Sequence, residues 1–105
     1  MALLQVQKIT CLNNAAFVMN FSVAHIKDDG STGCTDNSGN YPVAQNRTID
    51  LATVGIEEST MIWPHVHAVF GISVDGDKKC AYAKNGQTVT YDVRGTTLSS
   101  SVTRI

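Results

Sequence analysis

Residues 17–23 constrain this chain most. Phe17, Met19, Phe21 and Val23 are large and apolar on every odd position, with polar Asn20 and Ser22 between them. Successive side chains of a strand point to opposite faces, so this spacing predicts a strand with one buried and one open face. Such a strand is stable only when a second layer covers its apolar side. The rest of the chain supplies that layer as further strands. Residues 4–12 carry Val6, Ile9 and Cys11, and the alternation slips once between Val6 and Ile9. That slip predicts a first strand with a bulge or a strong twist. Asn13-Asn14 turns the chain into the strand at Phe17, which runs to about Ile26 and stops at Lys27-Asp28-Asp29-Gly30.

Further on, residues 47–51 alternate with Ile49 and Leu51 inward, and residues 52–59 form a connection with room for one helical turn. Residues 60–74 are a long β-rich run in which Pro64, lacking an N–H, marks an edge, a bulge or a break. Asp75-Gly76-Asp77 predicts a hairpin to residues 79–83, and Asn85-Gly86 predicts another to residues 88–93. After Arg94-Gly95, residues 97–105 close the chain. The expected fold is all-β, a small antiparallel β-sandwich of seven or eight strands, with an up-and-down barrel as the alternative. A length of 105 residues allows one domain, 1–105, with one core.

Charge and motifs exclude several functions. Lys plus Arg is 8 against 9 for Asp plus Glu, a net charge of −1 that leaves no electrostatic footprint for nucleic acid. No stretch approaches the ~18 apolar residues of a spanning helix. The start, Met1-Ala2-Leu3-Leu4-Gln5, lacks a basic n-region. The expected location is cytoplasmic, or outside the cell after export without a conventional signal peptide. Cys11, Cys34 and Cys80 are an odd count without CxxC spacing, read as three thiols, or as one disulfide plus a free thiol. His65 and His67 share a strand face, but zinc or copper needs further ligands that no recognisable spacing supplies. The acids pair only as turn neighbours (Asp28/Asp29, Asp75/Asp77, Glu57/Glu58), and a calcium ion shared between the first two pairs is the one cation left open. No cofactor is expected. With no Gly-x-Ser-x-Gly elbow, HExxH or phosphate loop, a non-enzymatic binding module is expected.

The longest irregular segment, residues 28–46, is polar and carries an aromatic ring. Long loops on a rigid scaffold are common binding surfaces. Planar amides and carboxylates match pairs of sugar hydroxyls, and an aromatic ring packs on the apolar face of a sugar. Asp36, Asn37, Asn40, Tyr41 and Asn46 on this segment, with Trp63 beside Pro64, are the expected glycan-binding residues. The same residue types make ordinary turns, and Trp63 can fill a core. Single sugar sites are weak, so a homodimer or higher oligomer that gains avidity is expected.

The run from Asn13 to Val23, then Ser38-Gly39-Asn40-Tyr41 and Arg47-Thr48-Ile49, resembles small microbial β-sandwich modules of lectin-like and toxin-like proteins. One such group is the C-terminal membrane-recognising module of the cholesterol-dependent cytolysins. A looser likeness in layout is to the slime-mould haemagglutinin. The resemblance covers about a third of the chain, consists mainly of strand and turn residues, and implies fold more than activity. Trp63 is the only tryptophan, so the Trp-rich inserting loop of the cytolysins has no counterpart and cholesterol binding is not carried over. A lectin-like module is the first expectation. A lipid- or membrane-surface module is the alternative, followed by a structural or partner-binding protein without a small ligand.

Overall fold

The structure is a computed structural model that describes residues 3–96 and 98–105. Thr97, expected to open the last strand, and Met1 and Ala2 at the start lie outside the described residues. The slip at Gln7 is a change of sheet. β1 (Leu4–Val6) belongs to one sheet and β2 (Lys8–Asn13) to the other, and both Val6 and Ile9 are buried. β3 spans Met19–Ile26, β4 Thr32–Cys34 and β5 Asn46–Asp50, followed by a single 3-10 turn, Leu51–Thr53. β6 spans Met61–Ala68, β7 Ser73–Asp75, β8 Cys80–Tyr82, β9 Thr88–Thr96 and β10 Ser99–Arg104. The larger sheet has the order β1-β8-β6-β3-β4, with β7 also on β6, and the smaller has the order β10-β9-β2-β5.

The fold is all-β, as expected, but it has more and shorter strands, and β1–β8 and β2–β9 pair in parallel. The parallel pairs have one cause. The chain from β1 to β2 runs beside the chain from β8 to β9, and both cross between sheets at the same level. Gln7 and Lys8 donate their N–H groups to the Gln87 carbonyl there, at 2.9 and 3.1 Å. Asn85-Gly86, with Gly86 at φ 75°, is therefore a sheet crossing and not the expected hairpin. β8 cannot fold back on β9, because it lies between β1 and β6 with all its residues buried.

Pro64 lies inside an unbroken central strand. The break falls in its neighbour, since β7 pairs with β6 up to His65 and β8 pairs from Ile62. Pro64's missing N–H faces that gap, and its carbonyl accepts from the Gly76 N–H at 2.9 Å. A Cβ on Gly76 would stand 2.8 Å from Pro64 Cδ and 2.9 Å from Tyr91 Cε2, so only glycine fits. β7 and β8 thus follow one another along β6, and Asp75-Gly76-Asp77 is a bulge between them and not the turn of a hairpin.

The irregular segment is also more ordered than its composition suggests. After β4, the N–H groups of Thr35, Ser38 and Tyr41 donate to the carbonyls of Val23, Phe21 and Met19. In return the Val23 and Phe21 N–H groups donate to Thr35 Oγ1 and Ser38 Oγ, each at 3.0 Å. Two hydroxyls stand in for strand carbonyls, and the segment covers the edge of β3 with a period of three. The core between the sheets holds Ile9, Cys11, Met19, Phe21, Val23, Leu51, Ile62, Val66, Tyr91 and Val93.

Candidate functional site

The expected glycan-binding residues scatter. Tyr41 is 1% exposed, and its hydroxyl donates to the Cys11 carbonyl at 2.9 Å. Burial pushes its phenol pKa far above the ordinary value. Trp63 is 6% exposed, on the outer face of β6, with Lys79 Nζ 5.0 Å from its ring. The expected aromatic platform is therefore corrected. A thin two-sheet sandwich with few rings buries them, and neither ring lies open to a ligand. Asp36 lines a groove of about 510 Å³ with Cys34, Ile49 and Val54, while Asn46 opens β5 on the other sheet. Only Asn37 and Asn40 meet, through Asn20: Asn37 Nδ2 donates to Asn20 Oδ1 at 2.8 Å, and Asn20 Nδ2 donates to Asn40 Oδ1 at 2.9 Å.

The outer face of the larger sheet carries two polar rows. Ser22, His65 and Asp75 stand opposite one another on β3, β6 and β7, and Asn20, His67 and Ser73 form the next row. His65 Nδ1 is 2.6 Å from Asp75 Oδ1, and His67 Nδ1 is 3.0 Å from Ser73 Oγ. The first row has the residue order of a nucleophilic triad without its surroundings. Ser22 makes no hydrogen bond to His65 among the described residues. The flanking N–H groups of Phe21 and Val23 already donate to Ser38 and Thr35, which leaves no donor there for an oxyanion.

The two ends of the sandwich differ in charge. At one end, Asn13 and Asn14 bond the Gln45 and Val93 carbonyls, the Ala16 N–H donates to Gly95, and the Val69 N–H donates to Val18. These contacts gather the β2–β3 loop, the segment before β5, the β6–β7 turn and the β9–β10 turn into one surface. None of residues 14–18, 42–45, 69–72 or 96–98 is charged. This end exposes Phe70 at 99%, Leu98 at 80% and Val43 at 55%, with Val18 and Ile72 partly exposed. Phe70 holds φ 63°, a left-handed conformation that side chains disfavour by roughly 1–2 kcal/mol. The opposite end carries Lys27, Asp28, Asp29, Glu57, Glu58 and Lys84.

Asn13 organises the uncharged end. Its side chain is buried, donates to the Phe17 and Tyr41 carbonyls at 2.8 and 3.1 Å, and accepts from the Ala15 N–H at 3.1 Å. Sequence reasoning read Asn13 only as a turn residue and passed over Phe70 and Leu98. The available signal was Gly71 directly after Phe70, and Leu98 standing between threonines and serines.

No protein-family model and no curated protein matches the sequence. Among solved structures, pneumolysin matches over 93% of this chain at 12% identity with TM-scores of 0.51 and 0.52. Listeriolysin O matches over 93% of this chain at 13% identity with a TM-score of 0.50. The chain spans only 22–23% of the length of those proteins. At this identity the likeness is one of fold alone, and it agrees with the cytolysin-like layout.

Proposed function

We propose that this domain is a membrane-surface module that docks its uncharged end on a lipid bilayer. One observation carries the reading: four loops without a charge converge and hold Phe70 and Leu98 almost wholly in water. A soluble protein seldom maintains an apolar cluster of this kind without a partner surface. The fold likeness to pneumolysin and listeriolysin O, whose length this chain spans in small part, is consistent with the reading.

Full burial of a Phe or Leu side chain is worth ~1.5–3 kcal/mol, and partial insertion roughly half of that. Phe70 and Leu98 together then contribute about 1.5–3 kcal/mol, and the valines and Ile72 add less. With a net charge of −1, binding is driven by apolar contact and needs no anionic lipid.

The test is co-sedimentation with neutral phosphatidylcholine vesicles. The parent protein partitions onto them, and neither salt nor free sugar reverses it. Phe70→Gly combined with Leu98→Ser lowers the partition coefficient about 10–150-fold while the fold stays intact, since glycine accepts the left-handed φ. Equal partition of the variant and the parent, or no binding by the parent, would overturn the proposal. Release of the parent by free sugar would return the reading to a glycan site.

A further inference from the structure

We infer that His65 and His67 form an open two-histidine site for a late first-row transition-metal dication, copper(II) foremost. Residues two apart on a strand present their side chains to the same face, and both histidines lie on the outer face of β6. Both rings are anchored through the same atom to the same neighbouring strand. His65 Nδ1 lies 2.6 Å from Asp75 Oδ1, and His67 Nδ1 lies 3.0 Å from Ser73 Oγ.

Anchoring at Nδ1 decides what each ring offers. An ionised carboxylate only accepts, so in the neutral ring the Nδ1 of His65 carries the proton and its Nε2 presents a lone pair. Ser73 leaves the same arrangement open to His67. No hydrogen bond reaches either Nε2 among the described residues, and no buried side-chain nitrogen or oxygen among them lacks a partner. Both Nε2 atoms therefore face solvent. A carboxylate behind a metal-binding imidazole fixes its tautomer and raises its basicity, and Asp75 holds that position. Across the strand stand Ser22 and Asn20, which bring no competing positive charge.

The third histidine and the exposed cysteine lie elsewhere. His25 lies at the far end of β3 in a groove with Lys27 and Glu57, and Cys34 lies on the far side of β3 opposite Ala24. No group of three His, Cys, Asp or Glu comes within metal-binding reach among the described residues. The protein thus supplies two imidazoles, and water or an external ligand completes the shell. Paired imidazoles favour copper(II), nickel(II) and zinc(II) over magnesium or calcium, with copper(II) first.

Trp63, the sole tryptophan, stands on the same face two residues before His65 and reports binding directly. The experiment titrates copper(II) into the full chain carrying Cys34→Ser, because an exposed thiol both ligates and reduces copper. The expected result is saturable one-to-one quenching of Trp63, reversed by a chelator and absent with magnesium or calcium. His65→Gln and His67→Gln each weaken it at least tenfold, His25→Gln leaves it unchanged, and Asp75→Asn weakens it about 10–100-fold. Quenching that does not saturate, that survives both histidine substitutions, or that responds equally to His25→Gln would overturn the site. An unchanged affinity in Asp75→Asn would overturn the carboxylate-backed arrangement. Circular dichroism of each variant confirms that a lost signal is not lost folding.

Discussion

Replacing Asn13 with alanine tests how the uncharged end is held in place. Asn13 is 1% exposed and makes its side-chain bonds to the Phe17 carbonyl, the Tyr41 carbonyl and the Ala15 N–H. Truncation strips the Phe17 carbonyl and the Ala15 N–H of that partner in a buried setting, while the Tyr41 carbonyl loses one of two and keeps the Met19 N–H. A buried polar group stripped of its partner costs ~1–3 kcal/mol, less where water enters. The sum for Asn13→Ala is about 3–5 kcal/mol, a large share of the ~5–15 kcal/mol that holds a domain together. Urea unfolding followed by tyrosine and tryptophan fluorescence reads this as a lower midpoint at unchanged slope. Asn13→Asp sharpens the test. Its carboxylate still accepts from Ala15 but faces two carbonyl oxygens, so near neutral pH it destabilises at least as much as alanine. Protonation restores one donor, and its deficit relative to the parent shrinks in acid. A midpoint for Asn13→Ala within about 1 kcal/mol of the parent would refute the clamp.

The cover on the β3 edge gives a second prediction. Thr35→Val and Ser38→Ala each remove the acceptor of a β3 N–H, lower stability by about 1–2 kcal/mol, and speed hydrogen exchange at Val23 and Phe21 respectively. Unchanged exchange at those amides would count against it. A third concerns acid. The Ala52 N–H and the Gln7 side chain hold Asp50 below the usual carboxylate range, and the Ser31 hydroxyl and N–H do the same for Asp29. At Asp92 burial raises the pKa, but hydrogen bonds from Arg94 and Asn14 outweigh it. Each folded pKa lies below the ordinary 3.8, so the stabilisation is complete above that value and is lost as pH falls through the folded values. The contribution of these three carboxylates to the urea midpoint falls below about pH 4, and Asp50→Asn flattens that fall. A parent midpoint that rises in acid would contradict it. A fourth is thiol reactivity. Of the free cysteines only Cys34 is exposed, so native protein labels there alone, while burial pushes the Cys11 thiol far above its usual range. Labelling of Cys11 or Cys80 without denaturant would show that the core opens.

Much of the fold was legible because it rests on period two. Residues 19–23 of β3 and 89–93 of β9 alternate cleanly, and both became core strands. The errors share one physical origin. Turn chemistry at Asn85-Gly86 and Asp75-Gly76-Asp77 reports that the chain bends, whereas pairing is decided by which neighbours bury the flanking residues. β8 is buried on both faces and so cannot hairpin with β9. The cover on β3 was hidden because Thr35, Ser38 and Tyr41 repeat every three residues and pair partly through hydroxyls. The candidate site was less legible still. Polar loop residues drew attention to Asn37 and Asn40, but an aromatic ring in a small sandwich goes to the core first, as Tyr41 did. Phe70 and Leu98 became notable only when the topology brought their separate turns to one end.

The orientation of the domain on a bilayer tests the central claim most directly. In the Cys34→Ser background, an environment-sensitive fluorophore is attached at Phe70→Cys and, separately, at Lys84→Cys on the opposite end. Phosphatidylcholine vesicles should shift the emission of the probe at position 70 to the blue and expose it to a quencher dissolved in the lipid. The probe at position 84 should stay in water, with neither change. A blue shift confined to position 84, or no shift at position 70 with the protein bound to vesicles, would contradict docking through the uncharged end.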